Sequence, residues 1–349
     1  VAALFLAGIV PGILVGVGLM IMVRLMADRY DLPKAERIVT KGQTITGVES
    51  WLSFVLLRIN FMGIFWGLFR LVSSFTGVAK PEGAMLWGTL GILLILAHFF
   101  LMWMRSQVTS DFRVVCKKAV APLQTPIIIL GGILIGVMTP TEASTIAVAY
   151  ALLVSVFVLK SLTWADFFDV LQRSALASAA VLLLVGAAVA FKTIVATSGA
   201  ATTMAEIILG LSENPLVLLF LINILLFIVG MFLDAGPAII ILGPILGPIF
   251  VDIGVHPVHF AIIMSVNLTV GLATPPMGLV LFVASTVSRE KVETISRAIL
   301  PFLAVEVVVI FLITFFPQIS MTVPYLADFL GCPPDTGYMA CISPGPPPS

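Results

Sequence analysis

Apolar runs of about twenty residues recur along this chain, and they limit its fold more than any other feature. They occupy roughly 3–26, 51–69, 84–104, 122–138, 143–159, 175–196, 215–233, 235–250, 260–287 and 299–316. A helix of about 20 residues rises about 30 Å, the thickness of a bilayer's hydrocarbon core. Composition agrees: 60% of the 349 residues are apolar and only 10% are charged, against roughly 25% charged in soluble domains. A soluble globular enzyme, a disordered chain and a disulfide scaffold are thereby excluded. A β-barrel would show alternating polarity instead. Basic and acidic residues balance at 18 each, so no basic surface calls for nucleic acid. The predicted class is an all-α polytopic membrane protein.

Basic residues mark cytoplasmic ends. The clusters at 24–41 and 105–118, with Lys160, Arg173, Arg289, Lys291 and Arg297, are assigned inside; Arg70 and Lys80 run against this pattern. The segment LTWADFFDVLQR (162–173) is amphipathic and is expected to lie on the interface as a short separate piece. In TPTE (139–142), Thr141 is the expected N-cap, and Glu142 adds a favourable negative charge at a helix start. Arg58, two turns into the second run, is expected to snorkel. His98, His256 and His259 lack metal-site spacing, and the last two look interfacial. Cys116, Cys332 and Cys341 also lack metal-ligand spacing and read as unpaired thiols, with a Cys332–Cys341 pair in an oxidising compartment as the alternative.

The stretch 230–287 is the most informative. It opens GMFLDAGPAIIILGPILGPIF and continues through NLTVGLATPPMGLVLFV. Pro removes a backbone donor and clashes with the preceding turn, while Gly eases unusual backbone angles. Pro237, Pro244 and Pro248 stand beside Gly236, Gly243 and Gly247, so 235–250 reads as an arm of a re-entrant hairpin over about 230–250. Thr274, Pro275 and Pro276 interrupt 260–287 near its middle, giving two half-helices around an unwound peptide. Free backbone polar groups in hydrocarbon cost several kcal/mol each and persist only where protein buries them or a wet cavity meets them. Helix N-termini there can meet anions, and carbonyls and hydroxyls can meet sodium. The candidate sodium and substrate residues are Gly230, Asp234, Asn267, Gly271, Thr274, Pro275 and Pro276, with sodium nearest Gly271 and Thr274. Two structural alternatives stay open: Asp234 as a helix cap and Asn267 as an interhelical hydrogen bond.

Several long motifs, in order, carry a resemblance. ILGGILIGVMTPTEASTIAVAYALLV (129–154), SENPLVLLFLINILLFIVGMFLDAGPAIIILGPIL (212–246) and HPVHFAIIMSVNLTVGLATPPMGLVLFV (256–283) resemble the large membrane subunit of TRAP (tripartite ATP-independent periplasmic) transporters, the DctM-type permease. ALFLAGIVPGILVGVGLMIMV (3–23) resembles the helix that follows the first half of that subunit. The resemblance covers about 1–38 and 110–330. It implies an elevator-type transporter half with a re-entrant hairpin and a broken helix, in the bacterial inner membrane. It also implies import of an organic acid such as a C4-dicarboxylate or a sialic acid. The implied partners are a periplasmic substrate-binding protein, a small membrane subunit and the lipid bilayer. Sodium is the coupling ion and no cofactor is expected.

The expected organisation follows. Residues 1–40 form a helix and cytoplasmic loop after a missing first repeat, and 41–109 an inserted two-span segment. Residues 110–330 form the second inverted repeat, and 331–349 a flexible tail. Val1 opens inside an apolar run, so an N-terminally truncated fragment of a longer-insert member is expected. An elevator-type carboxylate or ion transporter needing no binding protein is the alternative. An ion channel fits less well, because a filter usually needs several subunits about one axis. An intramembrane enzyme also fits less well, because neither H-E-x-x-H nor G-x-S-x-G is present. No G-x-x-x-x-G-K-[ST] loop is present either, in keeping with transport without ATP.

Overall fold

The computed structural model describes residues 2–27, 45–76, 81, 83–199, 203, 206, 207, 210, 212, 214–276, 278–327, 329, 330, 338 and 341. The basic stretch 29–41, Lys80 and Cys332 lie outside them. So does the expected tail, apart from Tyr338 and Cys341. The described residues are almost all helical and contain no strand. Nine of their helices are long and apolar enough to cross a membrane. Large apolar side chains face outward, with Trp87 75% and Leu183 76% exposed, as lipid-facing positions require. The chain divides into two compact units, Ala3–Leu32 with Arg173–Ser349, and Pro33–Gln172.

Within Pro33–Gln172, α3 (Gly47–Thr76) packs on both α4 (Ala84–Gln107) and α5 (Ser110–Leu134), and α5 packs on α6 (Pro140–Leu153). The 41–109 segment therefore shares a unit with the residues that follow it. Helix α5 starts twelve residues before the expected 122. Pro122 and Pro126 are accommodated inside it, and Arg113, Lys117 and Lys118 are helical rather than loop residues. Polar pairs tie the unit together. Asn60 Nδ2 donates to Gln124 Oε1 at 2.9 Å, and Lys117 Nζ donates to Ser50 Oγ at 3.2 Å. Arg58 finds its partners within the unit. Its Nε donates to His98 Nδ1 at 3.0 Å, and its guanidinium lies 3.2 Å from the centre of the Phe54 ring.

Helix α6 is capped by Thr139, not Thr141. Pro140 occupies the first helical position, where no N–H is needed, so the cap falls one residue earlier. Thr139 and Glu142 form a reciprocal capping box: the Thr139 N–H donates to Glu142 Oε2 at 2.8 Å, and the Glu142 N–H to Thr139 Oγ1 at 3.3 Å. Glu142 is thus a structural residue. A π-helical turn, Val154–Val158, follows. The amphipathic piece 162–173 is not separate. Helix α7 runs unbroken over Trp164–Thr197, because nothing after Arg173 interrupts a helical ladder.

In the other unit, α1 (Ala2–Ala7) and α2 (Ile9–Ala27) precede α8 (Pro215–Phe232), α9 (Ala235–Asp252), α10 (Pro257–Gly271), α11 (Leu279–Ser288), α12 (Val292–Phe315) and α13 (Gln318–Leu326). Helix α8 starts on an Asn214 cap with Pro215 behind it, and α10 on a His256 cap with Pro257. Leu226, Leu246, Phe250, Ile263 and Leu268 join α8, α9 and α10 in one core, with Phe250 and Phe260 stacked at 4.7 Å. Near the C-terminus Tyr338 meets Tyr325, and Cys341 is disulfide-bonded rather than free.

Candidate functional site

A hairpin turn and a helix interruption meet in this unit. The first joins α8 to α9 through Leu233 and Asp234 alone, so the hairpin comprises two 18-residue arms and extends beyond the expected 230–250. Asp234 takes the N-cap position of α9, yet its exposed carboxylate makes no capping hydrogen bond. The interruption lies between α10 and α11; its described residues, 272–276 and 278, contain a cis Pro275-Pro276 bond.

The interruption folds back on itself. Gly278 N donates to the Thr274 carbonyl oxygen at 3.1 Å, and Val280 N to that of Leu272 at 3.2 Å. Thr274 is buried, and its hydroxyl donates to the Val270 carbonyl oxygen at 2.9 Å. Both Thr274 oxygens keep acceptor lone pairs after these bonds. Gly278 makes the loop possible: a Cβ there would lie 2.8 Å from the Thr274 carbonyl oxygen and 2.9 Å from its nitrogen.

Hairpin and interruption touch through bare backbone. A Cβ on Gly271 would lie 2.6 Å from Gly230 Cα and 2.7 Å from Gly230 C. A Cβ on Gly230 would lie 2.9 Å from the Leu268 carbonyl oxygen. In a bilayer, apolar burial does not drive helices together, so small residues that allow close approach matter more. The two glycines, four residues before Asp234 and three before Thr274, dock the end of α8 on the end of α10.

Asn267 belongs to a different arrangement. Its Nδ2 donates to Asn223 Oδ1 at 2.6 Å and to the Ile263 carbonyl oxygen at 2.8 Å, fully buried. The Thr314 hydroxyl donates to the Ile310 carbonyl oxygen (2.8 Å) and reaches Asn223 Oδ1 (3.1 Å). The interhelical reading of Asn267 is the one the geometry favours, and the network ties α8, α10 and α12. A second buried pairing lies at the start of α10. His259 is 2% exposed; its Nδ1 is 2.7 Å from Ser320 Oγ and its Nε2 3.3 Å from the Thr314 carbonyl oxygen. A carbonyl only accepts, so Nε2 carries the proton.

Gly230, Gly271, Thr274, Pro275 and Pro276 are thus brought together, Asp234 stands exposed at the hairpin turn, and Asn267 is taken into packing. Sequence reasoning missed Asn223, Thr314 and Gly278. A lone Asn inside LLFLINILLF was the available signal, since a polar side chain at membrane depth needs a partner. Among the described residues, no group of three His, Cys, Asp or Glu side chains is placed to hold a metal. The oxygens of the interruption are donors of the kind that suits a hard monovalent cation.

Comparison with known proteins follows the same lines. The family described as "Tripartite ATP-independent periplasmic transporter, DctM component" matches residues 1–100 and 97–319, so the likeness covers the segment 41–109 as well, rather than only 1–38 and 110–330. The isethionate TRAP transporter permease protein DctMQ of Oleidesulfovibrio alaskensis is 44% identical over 199 residues, covering 57% of this chain and 31% of that protein. The sialic acid TRAP transporter large permease protein SiaM of Vibrio cholerae is 39% identical over 215 residues, 62% of this chain and 50% of that one. The C4-dicarboxylate TRAP transporter large permease protein DctM of Pseudomonas aeruginosa is 28% identical over 324 residues, 93% and 60%. The chain therefore spans about a third to three fifths of the length of these relatives. With its apolar helices it is a multi-pass protein of the bacterial inner membrane. The chain belongs to the DctM component family of the tripartite ATP-independent periplasmic transporters.

Proposed function

We propose that this chain forms part of the large permease subunit of a sodium-coupled secondary transporter that imports an organic acid. A periplasmic binding protein delivers the acid, and a small membrane subunit assists. The observation that carries the reading is the backbone contact of Gly230 with Gly271, which sets the hairpin against the unwound peptide. Sodium binds there through the Thr274 oxygens and neighbouring carbonyls, with the Asp234 carboxylate at the hairpin turn drawing cations toward the site. The bound cation orders the interruption, and the substrate carboxylate then meets freed N–H groups and positive charge. Helices α8, α9 and α10 share one core, and a buried Asn pair joins α8 to α10, so they move as one body. The named relatives handle isethionate, sialic acid and C4-dicarboxylates, all organic anions.

The test is reconstitution of the complete transporter carrying this chain, with its small subunit, in proteoliposomes. Uptake of labelled succinate, N-acetylneuraminate and isethionate is followed with and without binding protein and an inward sodium gradient. Saturable uptake of one of them that needs both, without ATP, is expected. Uptake indifferent to sodium removes the coupling. Uptake without the binding protein favours the stand-alone elevator alternative.

A further inference from the structure

The unit Pro33–Gln172 contains a cavity of about 510 Å³ where the start of α3, the end of α4 and the start of α5 converge. That volume lies within the range of small-ligand sites. Among the described residues, four in the wall are cationic, Arg58, Arg105, Arg113 and Lys117, and none is Asp or Glu. The acids nearest in sequence lie elsewhere: Glu49 Oε2 accepts from the Thr46 N–H, and Asp111 is not part of the walls.

The charges are only partly occupied by the protein. Arg113 spends Nε and Nη2 on the Val108 carbonyl oxygen, at 3.1 and 2.9 Å, which leaves its other N–H groups available. Lys117 gives one hydrogen bond, to Ser50, which also lines the cavity. The first residue of α5, Ser110, is in the wall too, so the positive end of a 25-residue helix adds to the field. Apart from Ser50, Ser53 and Ser110, the remaining surface is largely apolar, with Phe61, Leu101 and Met102 among the walls. A charged rim above apolar walls matches an amphiphile rather than a small hydrophilic anion. The basic ends of α4 and α5 belong to the cytoplasmic side by the distribution of Lys and Arg. Basic pockets between spanning helices on that side suit anionic lipid headgroups.

We propose that this cavity binds the phosphate of an anionic phospholipid from the cytoplasmic leaflet. Arg105, Arg113 and Lys117 meet the headgroup, and the acyl chains follow the apolar wall. Arg58, held by His98, adds charge deeper in the wall. Among the described residues, every wall residue falls between Ile45 and Lys117, within the unit Pro33–Gln172.

The experiment titrates the delipidated permease carrying this chain with phosphatidylglycerol and with phosphatidylethanolamine, and counts bound lipids by native mass spectrometry. One phosphatidylglycerol held at least about tenfold more tightly than phosphatidylethanolamine is expected, since each basic group near an anionic headgroup contributes severalfold. The triple variant Arg105→Gln, Arg113→Gln, Lys117→Gln should lose at least about tenfold, while Lys160→Gln with Arg289→Gln should keep wild-type affinity. Cys116 supplies a readout that needs no variant: it is a free thiol in the cavity wall. Its labelling by N-ethylmaleimide should be slower in phosphatidylglycerol nanodiscs than in phosphatidylcholine nanodiscs. Equal affinity for the two lipids, or undiminished binding by a folded triple variant, overturns the proposal. So does protection of Cys116 by millimolar phosphate or succinate equal to that by the lipid, which would assign the cavity to a soluble anion. If the triple variant fails to fold, the exposed single variant Arg105→Gln and the labelling comparison decide.

Discussion

Gly230 and Gly271 hold the end of α8 and the end of α10 at backbone contact, closer than any side chain permits. The atoms a new methyl group would meet are backbone atoms on both sides, so no flexible side chain can yield. Gly271→Ala should therefore destabilise the protein by about 1–3 kcal/mol, the usual cost of overpacking, and abolish uptake. Gly12→Ala, where a Cβ meets nothing within 4 Å, should leave both unchanged. Thermal midpoints in detergent and proteoliposome uptake check the pair; equal behaviour of the two variants would remove the packing argument.

The sodium assignment makes a separate demand. Thr274→Ala removes a hydroxyl from the interruption, and Asp234→Asn removes the charge at the hairpin turn. Both should move the sodium titration of uptake to higher concentration, whereas Thr274→Ser should stay near wild type. Wild-type sodium curves in both variants would take Thr274 and Asp234 out of the ion site.

Asn267 separates packing from binding. Its hydrogen bond to Asn223 is buried between helices. Such pairs contribute on the order of 0.6–1.7 kcal/mol in membrane proteins. A double-mutant cycle with Asn223→Ala and Asn267→Ala should return a coupling energy of that order, measured by unfolding in mixed micelles. Asn267→Ala should leave the sodium midpoint of uptake where it was. A shifted midpoint would return Asn267 to the ion site.

At the start of α6, the Thr139–Glu142 capping box satisfies two helix-terminal donors. Thr139→Ala should cost about 1 kcal/mol of stability, and Glu142→Gln should cost less because glutamine can still accept from the Thr139 N–H. Neither should alter the sodium or substrate dependence of uptake. A change in apparent substrate affinity in Glu142→Gln would overturn the structural reading of that carboxylate.

By itself the sequence determined the membrane class and the position of the break at Thr274, Pro275 and Pro276. These rest on local chemistry: the length of an apolar run sets whether it can cross, and proline lacks a backbone donor wherever it stands. Local chemistry misjudged two joins. Pro122 and Pro126 sit inside α5 rather than starting it, and 162–173 runs on into α7. In each case the rest of the helical ladder outweighs the local signal. Which polar groups are partners was decided only in three dimensions. Asn223 and Asn267 are 44 residues apart, and His259 and Ser320 are 61 apart. A side chain's surroundings depend on which helix faces meet, and no periodicity along one helix carries that information. The docking of Gly230 on Gly271 is of the same kind, because a glycine's need for closeness appears only when the other backbone arrives.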